Sequence, residues 1–335
     1  MMNILVYIQA LFELIFISPV LIAIAVVGKL ASLAGKSLDS DLTTAILPDP
    51  KAGSFAGKCV YITGASAGIG AELAIRLGSL GAKVILMARR EGQLKEVARR
   101  VTSAGGSAVV LPVDLLDATA SVEAVAGAIE THGVPDVLVL NAGRSQRALC
   151  EEGTDEDDAT LFDLNVSALL RTCRQVLPGM LARGSGHMVV TSSVAGKVGS
   201  PVSGTYSATK FALQGYFAAL RNECGARGID VTMICPGPVH TEITSHFVGK
   251  GAEAPNASDQ NDGRLSATRC AQLVTRAIAH KLPESWISHN PILLFTYSSY
   301  APTLSAFIGP IVGSSRVKAY LSGDMSYKFI SGSSK

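Results

Sequence analysis

A hydroxyl, a phenol and an ammonium group fall close together between Ser193 and Lys210, a stretch that reads Ser-Val-Ala-Gly-Lys-Val-Gly-Ser-Pro-Val-Ser-Gly-Thr-Tyr-Ser-Ala-Thr-Lys. Tyr206 and Lys210 are four residues apart, so on a helix they share one face. An ammonium beside a phenol favours the phenolate and draws the tyrosine toward neutral titration. Such a tyrosine gives a proton to a carbonyl oxygen, or takes one from an alcohol, near neutral pH. Ser193, thirteen residues upstream, can hydrogen-bond the same oxygen. Tyr-x-x-x-Lys alone is weak evidence, because an amphipathic tyrosine beside a solvated lysine has the same spacing. The serine at a strand end gives the pattern its specificity.

The elements that must position these groups are legible on both sides. Met188, Val189, Val190 and Thr191 read as a buried strand ending at Ser192 and Ser193. A Gly/Pro/Ser-rich loop follows, and from Tyr206 the spacing predicts a helix with Phe211, Leu213, Phe217 and Leu220 in the core. Upstream, Lys58-Cys-Val-Tyr-Ile-Thr-Gly-Ala-Ser-Ala-Gly-Ile-Gly70 is an apolar strand running into Gly64, Gly68 and Gly70, with a helix from Ala71. Glycines there let the backbone approach a pyrophosphate, which the helix N-terminus favours through its amides and dipole. The second strand, Lys83-Val-Ile-Leu-Met-Ala, ends in Arg89-Arg90. An acid at that end would bind the ribose hydroxyl of NAD, whereas two arginines suit the 2′-phosphate of NADP(H). Gly64-Ala-Ser66-Ala-Gly68 also fits a hydrolase nucleophile elbow, with Asp230 and His240 as the partners it would need.

The rest of the chain alternates strand and helix. Ala108-Val-Val-Leu-Pro-Val closes on Asp114-Leu115, and Asp136-Val-Leu-Val-Leu runs into Asn141-Ala142-Gly143. A helix with Leu161, Phe162, Leu164 and Leu169 as its apolar residues carries Asn165 among them, and such an asparagine needs partners. Asp230-Val-Thr-Met-Ile-Cys ends in Pro236-Gly-Pro-Val-His-Thr241, where His240 reads as a loop residue. A helix from Ser266 to His280 and the strand Ser285-Trp-Ile-Ser complete residues 58–290. The expected architecture is α/β, a Rossmann-type doubly wound sheet of seven parallel strands.

These motifs, in this order, resemble the short-chain dehydrogenases/reductases over about residues 55–290. The resemblance implies catalysis by Asn165, Ser193, Tyr206 and Lys210, with Asn165 anchoring a water that links the lysine to solvent. It implies cofactor contacts from Gly64, Ser66, Gly68, Ile69, Gly70, Arg89, Arg90, Asp114, Leu115, Asn141, Ala142, Gly143, Tyr206, Lys210, Pro236, Val239 and Thr241. Asp114 would meet the adenine, Val239 the nicotinamide ring, and Thr241 its carboxamide or the phosphate. Leu140 departs from the family, many of whose members carry a second asparagine there. The runs Asn141–Cys150, Ile234–Val239 and Glu284–Tyr297 resemble a membrane-anchored branch of the endoplasmic reticulum. By that resemblance it reduces carbonyls of retinoids and steroids with NADPH, and a homodimer is compatible with it. A reductase of ketosphingoid bases, a serine hydrolase and a catalytically dead membrane scaffold are the alternatives.

Composition sets outer bounds. Of the 335 residues 48% are hydrophobic and 17% charged, and the net charge is +2. That excludes a basic footprint for nucleic acid, and it asks where the apolar excess lies. Ile4 to Val27 is one answer: 24 almost wholly apolar residues, long enough to cross a bilayer, interrupted by Gln9, Glu13 and Pro19. We expect a membrane-anchor helix over residues 1–30 and a linker over 31–57, with Lys29 and Lys36 favouring a cytosolic catalytic domain. Residues 291–335 form an apolar, proline-interrupted tail, read as a helix lying on a membrane surface beside the site. Residues 242–264 read as a substrate lid, and Asn256-Ala-Ser258 within it is a glycosylation sequon. The six cysteines are scattered without metal-ligand spacing, and free thiols are expected.

Overall fold

The structure, a computed structural model, describes residues 39–241, 247–249, 264–289, 296 and 298–323, with positions 8, 9, 11–13, 15 and 19 of the N-terminal segment. Most of the expected anchor, the first part of the expected linker and nearly all of the expected lid lie outside the described residues. Among the described residues no helix is long and apolar enough to cross a membrane.

Seven strands form one parallel sheet: β1 (Cys59–Thr63), β2 (Lys83–Ala88), β3 (Ser107–Pro112), β4 (Val137–Leu140), β5 (Gly186–Thr191), β6 (Ile229–Pro236) and β9 (Glu284–Ile287). Their order is β3-β2-β1-β4-β5-β6-β9, which is the doubly wound arrangement expected. The side chains alternate between two cores, as a strand's period of two requires. Val60, Ile62, Val84, Leu86 and Val139 face one way, against α2 (Gly68–Ser79), α3 (Glu91–Ser103) and α8 (Ala267–Ala279). Tyr61, Ile85, Met87, Leu138 and Leu140 face the other way. They meet α4 (Ala118–His132), α6 (Ala168–Arg183) and α7 (Gly204–Cys224). Both faces are thus apolar, which is why the strands read as continuous hydrophobic runs. Leu140, the departure from the family pattern, is fully buried in the second core.

A two-stranded parallel ladder that the sequence did not suggest joins β7 (Val239–His240) to β8 (Leu265–Ser266). It ties the turn after β6 to the start of α8. The segment read as a linker also differs. From residue 39 it packs on the domain, with α1 (Leu42–Ile46) lying against α8 and β9. Asp41 caps α1 by accepting from the Thr44 amide and also accepts from the Trp286 amide of β9, at 2.9 and 2.6 Å. Six described cysteines are free thiols, and Cys173, Cys224, Cys235 and Cys270 are buried.

The sheet's winding reverses between β1 and β4. Beyond the carboxyl ends of strands at such a switch point the loops diverge, and a crevice opens. Here it is a cleft of about 1450 Å³.

Candidate active site

Helix α7 delivers Tyr206 and Lys210 to this cleft. Its N-cap, Ser203, makes no side-chain capping bond. Instead Gln146, sixty residues away, accepts from the Tyr206 amide at 3.1 Å and donates to Thr205 Oγ1 at 3.3 Å. Lys210 Nζ stands 5.6 Å from the Tyr206 ring centroid and donates to the Thr191 carbonyl at 2.9 Å. Lys210 is almost wholly buried, and burial pushes its ammonium down to about 8. It therefore remains largely a cation at neutral pH, held beside the phenol at the end of β5.

Ser193 follows β5 and lines the same cleft. Its Oγ accepts from the Ala195 amide at 3.1 Å and donates to the Pro236 carbonyl at 3.2 Å. Its single proton must swing off Pro236 to meet a substrate oxygen. Asn165 lies behind the cleft wall, fully buried in a π-turn (Asp163–Ser167) between α5 (Asp155–Phe162) and α6. Such a turn inserts one residue into the helical register and recurs at functional sites. The Asn165 amide bonds the backbone of Arg144 in both directions, at 2.8 and 2.9 Å, and donates to Thr209 Oγ1 at 3.2 Å. The side chain expected to hold a water thus spends both amide protons on the protein, joining the 143–144 loop to α7.

The opposite end of the cleft is built by the glycine turn. Gly64 and Gly68 take φ of +67° and +58°, a conformation that costs glycine little. A Cβ on Gly70 would collide with the Gly64 carbonyl oxygen, so the turn closes only with glycine there. Helix α2 begins at this turn with no side-chain cap and no acid in its first turn, which suits a phosphate oxygen. Arg90 donates to Ser66 Oγ at 3.2 Å across the rim. Arg89 stands 3.8 Å from Asp114, both largely exposed. Ile69, Asp114, Leu115, Ala142 and Gly143 line the same wall. Asn141 binds the strand ends together. Its amides donate to Thr63 Oγ1 and to the Thr63 and Gly64 carbonyls, and its Oδ1 accepts from Thr191. Pro236, Val239 and Thr241 close the cleft from the β6 side, with Thr241 against Gly68. The arrangement fits a dinucleotide with a phosphorylated ribose: glycine backbone for the pyrophosphate, two arginines at the ribose end, Tyr206 and Lys210 at the other.

The hydrolase reading fails on geometry. Asp230 sits at the amino end of β6 and pairs with Lys281 at 2.7 Å, whereas Ser66 follows the carboxyl end of β1 and His240, expected in a loop, belongs to β7 past the carboxyl end of β6. An eight-residue strand puts roughly 25 Å between its ends, so no triad forms. One core expectation also fails. Phe211 is 45% exposed. The buried stripe of α7 runs through Lys210, Leu213, Phe217, Leu220 and Cys224, which turns Phe211 outward.

Three groups went unassigned in the sequence. Gln146 acts through a contact sixty residues long. Thr63 accepts the amides of Asn141 and Ala142 on one hydroxyl. Arg147 is buried, with its guanidinium 4.5 Å from the Phe247 ring centroid on the cleft wall. The far side of the cleft belongs to α9 (Pro302–Leu321), within the tail read as a helix on a membrane surface beside the site.

Comparison with known proteins accords with this geometry. Residues 58–250 match the model of the family described as short chain dehydrogenase. The chain belongs to that family. It is 36% identical to human dehydrogenase/reductase SDR family member 7 over 278 residues, which cover 80% of this chain and 82% of the relative. Among solved structures, a protein from Beutenbergia cavernae, described as a putative NAD(P) dependent gluconate 5-dehydrogenase with NADP bound at low occupancy, superposes with a TM-score of 0.61. It is 27% identical, over 70% of this chain and 96% of that one. A 3-oxoacyl (acyl-carrier-protein) reductase from Agrobacterium tumefaciens, with NADP bound, gives 0.61 at 25% identity over 70% and 93%. Family membership makes the chain an oxidoreductase of the dehydrogenase/reductase type.

Proposed function

We propose that this protein is an NADP(H)-dependent reductase of carbonyl groups on lipophilic substrates. In this reading its N-terminal apolar segment holds it at the endoplasmic reticulum membrane, with the catalytic domain in the cytosol. The observation that carries the chemistry is the pairing of Lys210 with Tyr206, 5.6 Å from nitrogen to ring centroid, in the cleft that the glycine turn also faces. NADPH, when bound, supplies the hydride. Tyr206 gives its proton to the carbonyl oxygen, and the Lys210 cation stabilises the phenolate left behind. Ser193 turns from Pro236 to hold that oxygen. Asn165 keeps the 143–144 loop against Lys210 through its bonds to Arg144 and Thr209. Arg89, Arg90 and Ser66 select the 2′-phosphate.

The lipophilic substrate is supported by the cleft wall, where Val194, Val198, Phe247, Pro302, Ala306 and Val312 gather, and by the relation to the member 7 branch. The test is NADPH oxidation by the full chain against retinals, ketosteroids and ketosphingoid bases. Tyr206→Phe should abolish turnover and leave NADPH binding by fluorescence within about twofold, since its hydroxyl acts on substrate. Undiminished turnover would remove Tyr206 from the chemistry. A preference for ketosphingoid bases would name that substrate class instead. Occupancy of the Asn256 sequon in cells would overturn the cytosolic orientation.

A further inference from the structure

The far wall of the cleft is a helix whose first turn is capped by a residue almost three hundred positions away. Helix α9 starts with Pro302, which has no N–H, after an N-cap, Ala301, that has no side chain able to accept. Its next two amides are Thr303 and Leu304. Glu13 accepts both, through Oε1 at 3.3 Å and Oε2 at 2.8 Å. From Ser305 the helix bonds itself, its amide donating to the Ala301 carbonyl at 2.8 Å. Gln9 donates to Glu13 Oε1 at 3.2 Å, and Glu13 is only 3% exposed. Around it Ile8, Leu11, Phe12 and Ile15 are each more than half exposed. A carboxylate in so apolar a segment is costly unless bonded, and here both of its oxygens are.

Helix α9 is held at its other end as well, where Tyr320 donates to Glu152 at 2.6 Å. Between these two holds, Ser305, Ala306, Gly309, Gly313 and Arg316 line the cleft, at the three- and four-residue spacing of one helix face. Neither hold involves Tyr206, Lys210 or the glycine turn.

We infer that Glu13 is a positioning residue for substrate: it caps α9 from the N-terminal segment and so sets the wall against which a long apolar substrate lies. This rests on the carbonyl-reductase reading and adds to it a link from the N-terminal segment to substrate selectivity. Residues 1–30 then do more than attach the protein to a surface.

The test uses the full chain in detergent micelles, as wild type, Glu13→Ala, Glu13→Gln and Tyr320→Phe. Loss of a helix cap should raise KM for a long ketone such as a ketosteroid roughly tenfold in Glu13→Ala. Glu13→Gln keeps one acceptor and should recover part of this, and Tyr320→Phe should raise the same KM. The kcat, the KM for NADPH and the KM for a short soluble carbonyl should change less than about twofold, a split that general loss of folding does not give. Amide hydrogen exchange at Thr303 and Leu304 should accelerate in Glu13→Ala, whatever the activity. Unchanged exchange at those amides would overturn the capping role. Faster exchange with an unchanged KM for the long ketone would overturn the role in selectivity. A wild type with no NADPH-dependent turnover would overturn the reductase reading, and this inference with it.

Discussion

Lys210 shows what a reactive cation costs the fold. It occupies a core-facing position of α7, fully buried, and burial lowers its titration from 10.5 to about 8. Its folded pKa thus lies below its unfolded one, so the unfolded chain binds more protons between those two values. Stability must then rise with pH across the window from about 8 to 10.5. Below that window the full penalty stands, roughly 3 kcal/mol at 1.36 kcal/mol per unit. The hydrogen bond to Thr191, about 1 kcal/mol, offsets part of it. Lys210→Met should therefore stabilise the protein by about 2 kcal/mol at pH 7 while removing activity. The gain should shrink as pH is raised toward 10.5. Urea midpoints of the two proteins at pH 7 and pH 10 check it, and a variant less stable at pH 7 would refute it. The four-residue spacing that marked Lys210 in the sequence is a local property of one helix, which is why it was legible. Phe211 was not. Helical periodicity alone lets either neighbour face inward, and here the core-facing stripe takes the lysine.

At the scale of elements, legibility depended on how far along the chain a contact reaches. The glycine turn between β1 and α2 was readable because glycine answers a local backbone demand, as Gly64 and Gly68 do with positive φ. Strands β1 to β6 were readable as apolar runs because helices cover both faces of the sheet. The start of α7 was read two residues late, at Tyr206 rather than Gly204, because its cap is not local. Gln146 supplies that cap and is 2% exposed. Its two bonds fix the first turn of the helix on which Tyr206 sits, so it positions the phenol without touching substrate. Gln146→Ala should cost about 1–2 kcal/mol of stability, as loss of a cap does. It should also lower kcat roughly tenfold, with the KM for NADPH little changed, because the glycine turn is remote from it. Gln146→Glu retains an acceptor for the Tyr206 amide and should recover much of kcat. A Gln146→Ala protein with unaltered kcat would show that the cap does not position the tyrosine.

At the scale of the whole molecule, the domain does not begin where its first strand does. Residues 31–57 read as a linker on their Ala, Ser, Gly, Asp and two Pro, yet from residue 39 the acids of this segment answer cations that come from far downstream. Asp39, 4% exposed, accepts from Arg269 at 2.7 and 3.1 Å. Asp49 accepts from Arg276 at 2.9 and 3.1 Å, and Arg276 also donates to the Thr44 carbonyl at 2.8 Å. The Asp41 amide donates to the Trp286 carbonyl at 2.7 Å, and Thr44 bonds Ser285 at 2.6 Å, so the segment sits beside β9 at the end of the sheet. Composition conceals this because each carboxylate finds its partner more than two hundred residues away. Arg276, 9% exposed, would be left by loss of its carboxylate with an uncompensated buried charge, which costs about 3–5 kcal/mol, a large share of a typical domain's 5–15 kcal/mol. Arg269 is half-buried and adds less. A chain starting at Asp39 keeps both pairs, whereas one starting at Lys58 strands Arg269 and Arg276 and bares Ser285 and Trp286. The first should unfold in urea with a single transition. The second should show a midpoint lower by the equivalent of about 3–5 kcal/mol or fail to remain soluble. Asp49→Asn in the longer chain should reproduce part of the loss, since it removes one charge and leaves the packing of α1 in place. Equal midpoints for the two truncated chains would mean that the fold is complete from β1 onward and that these ion pairs only decorate it.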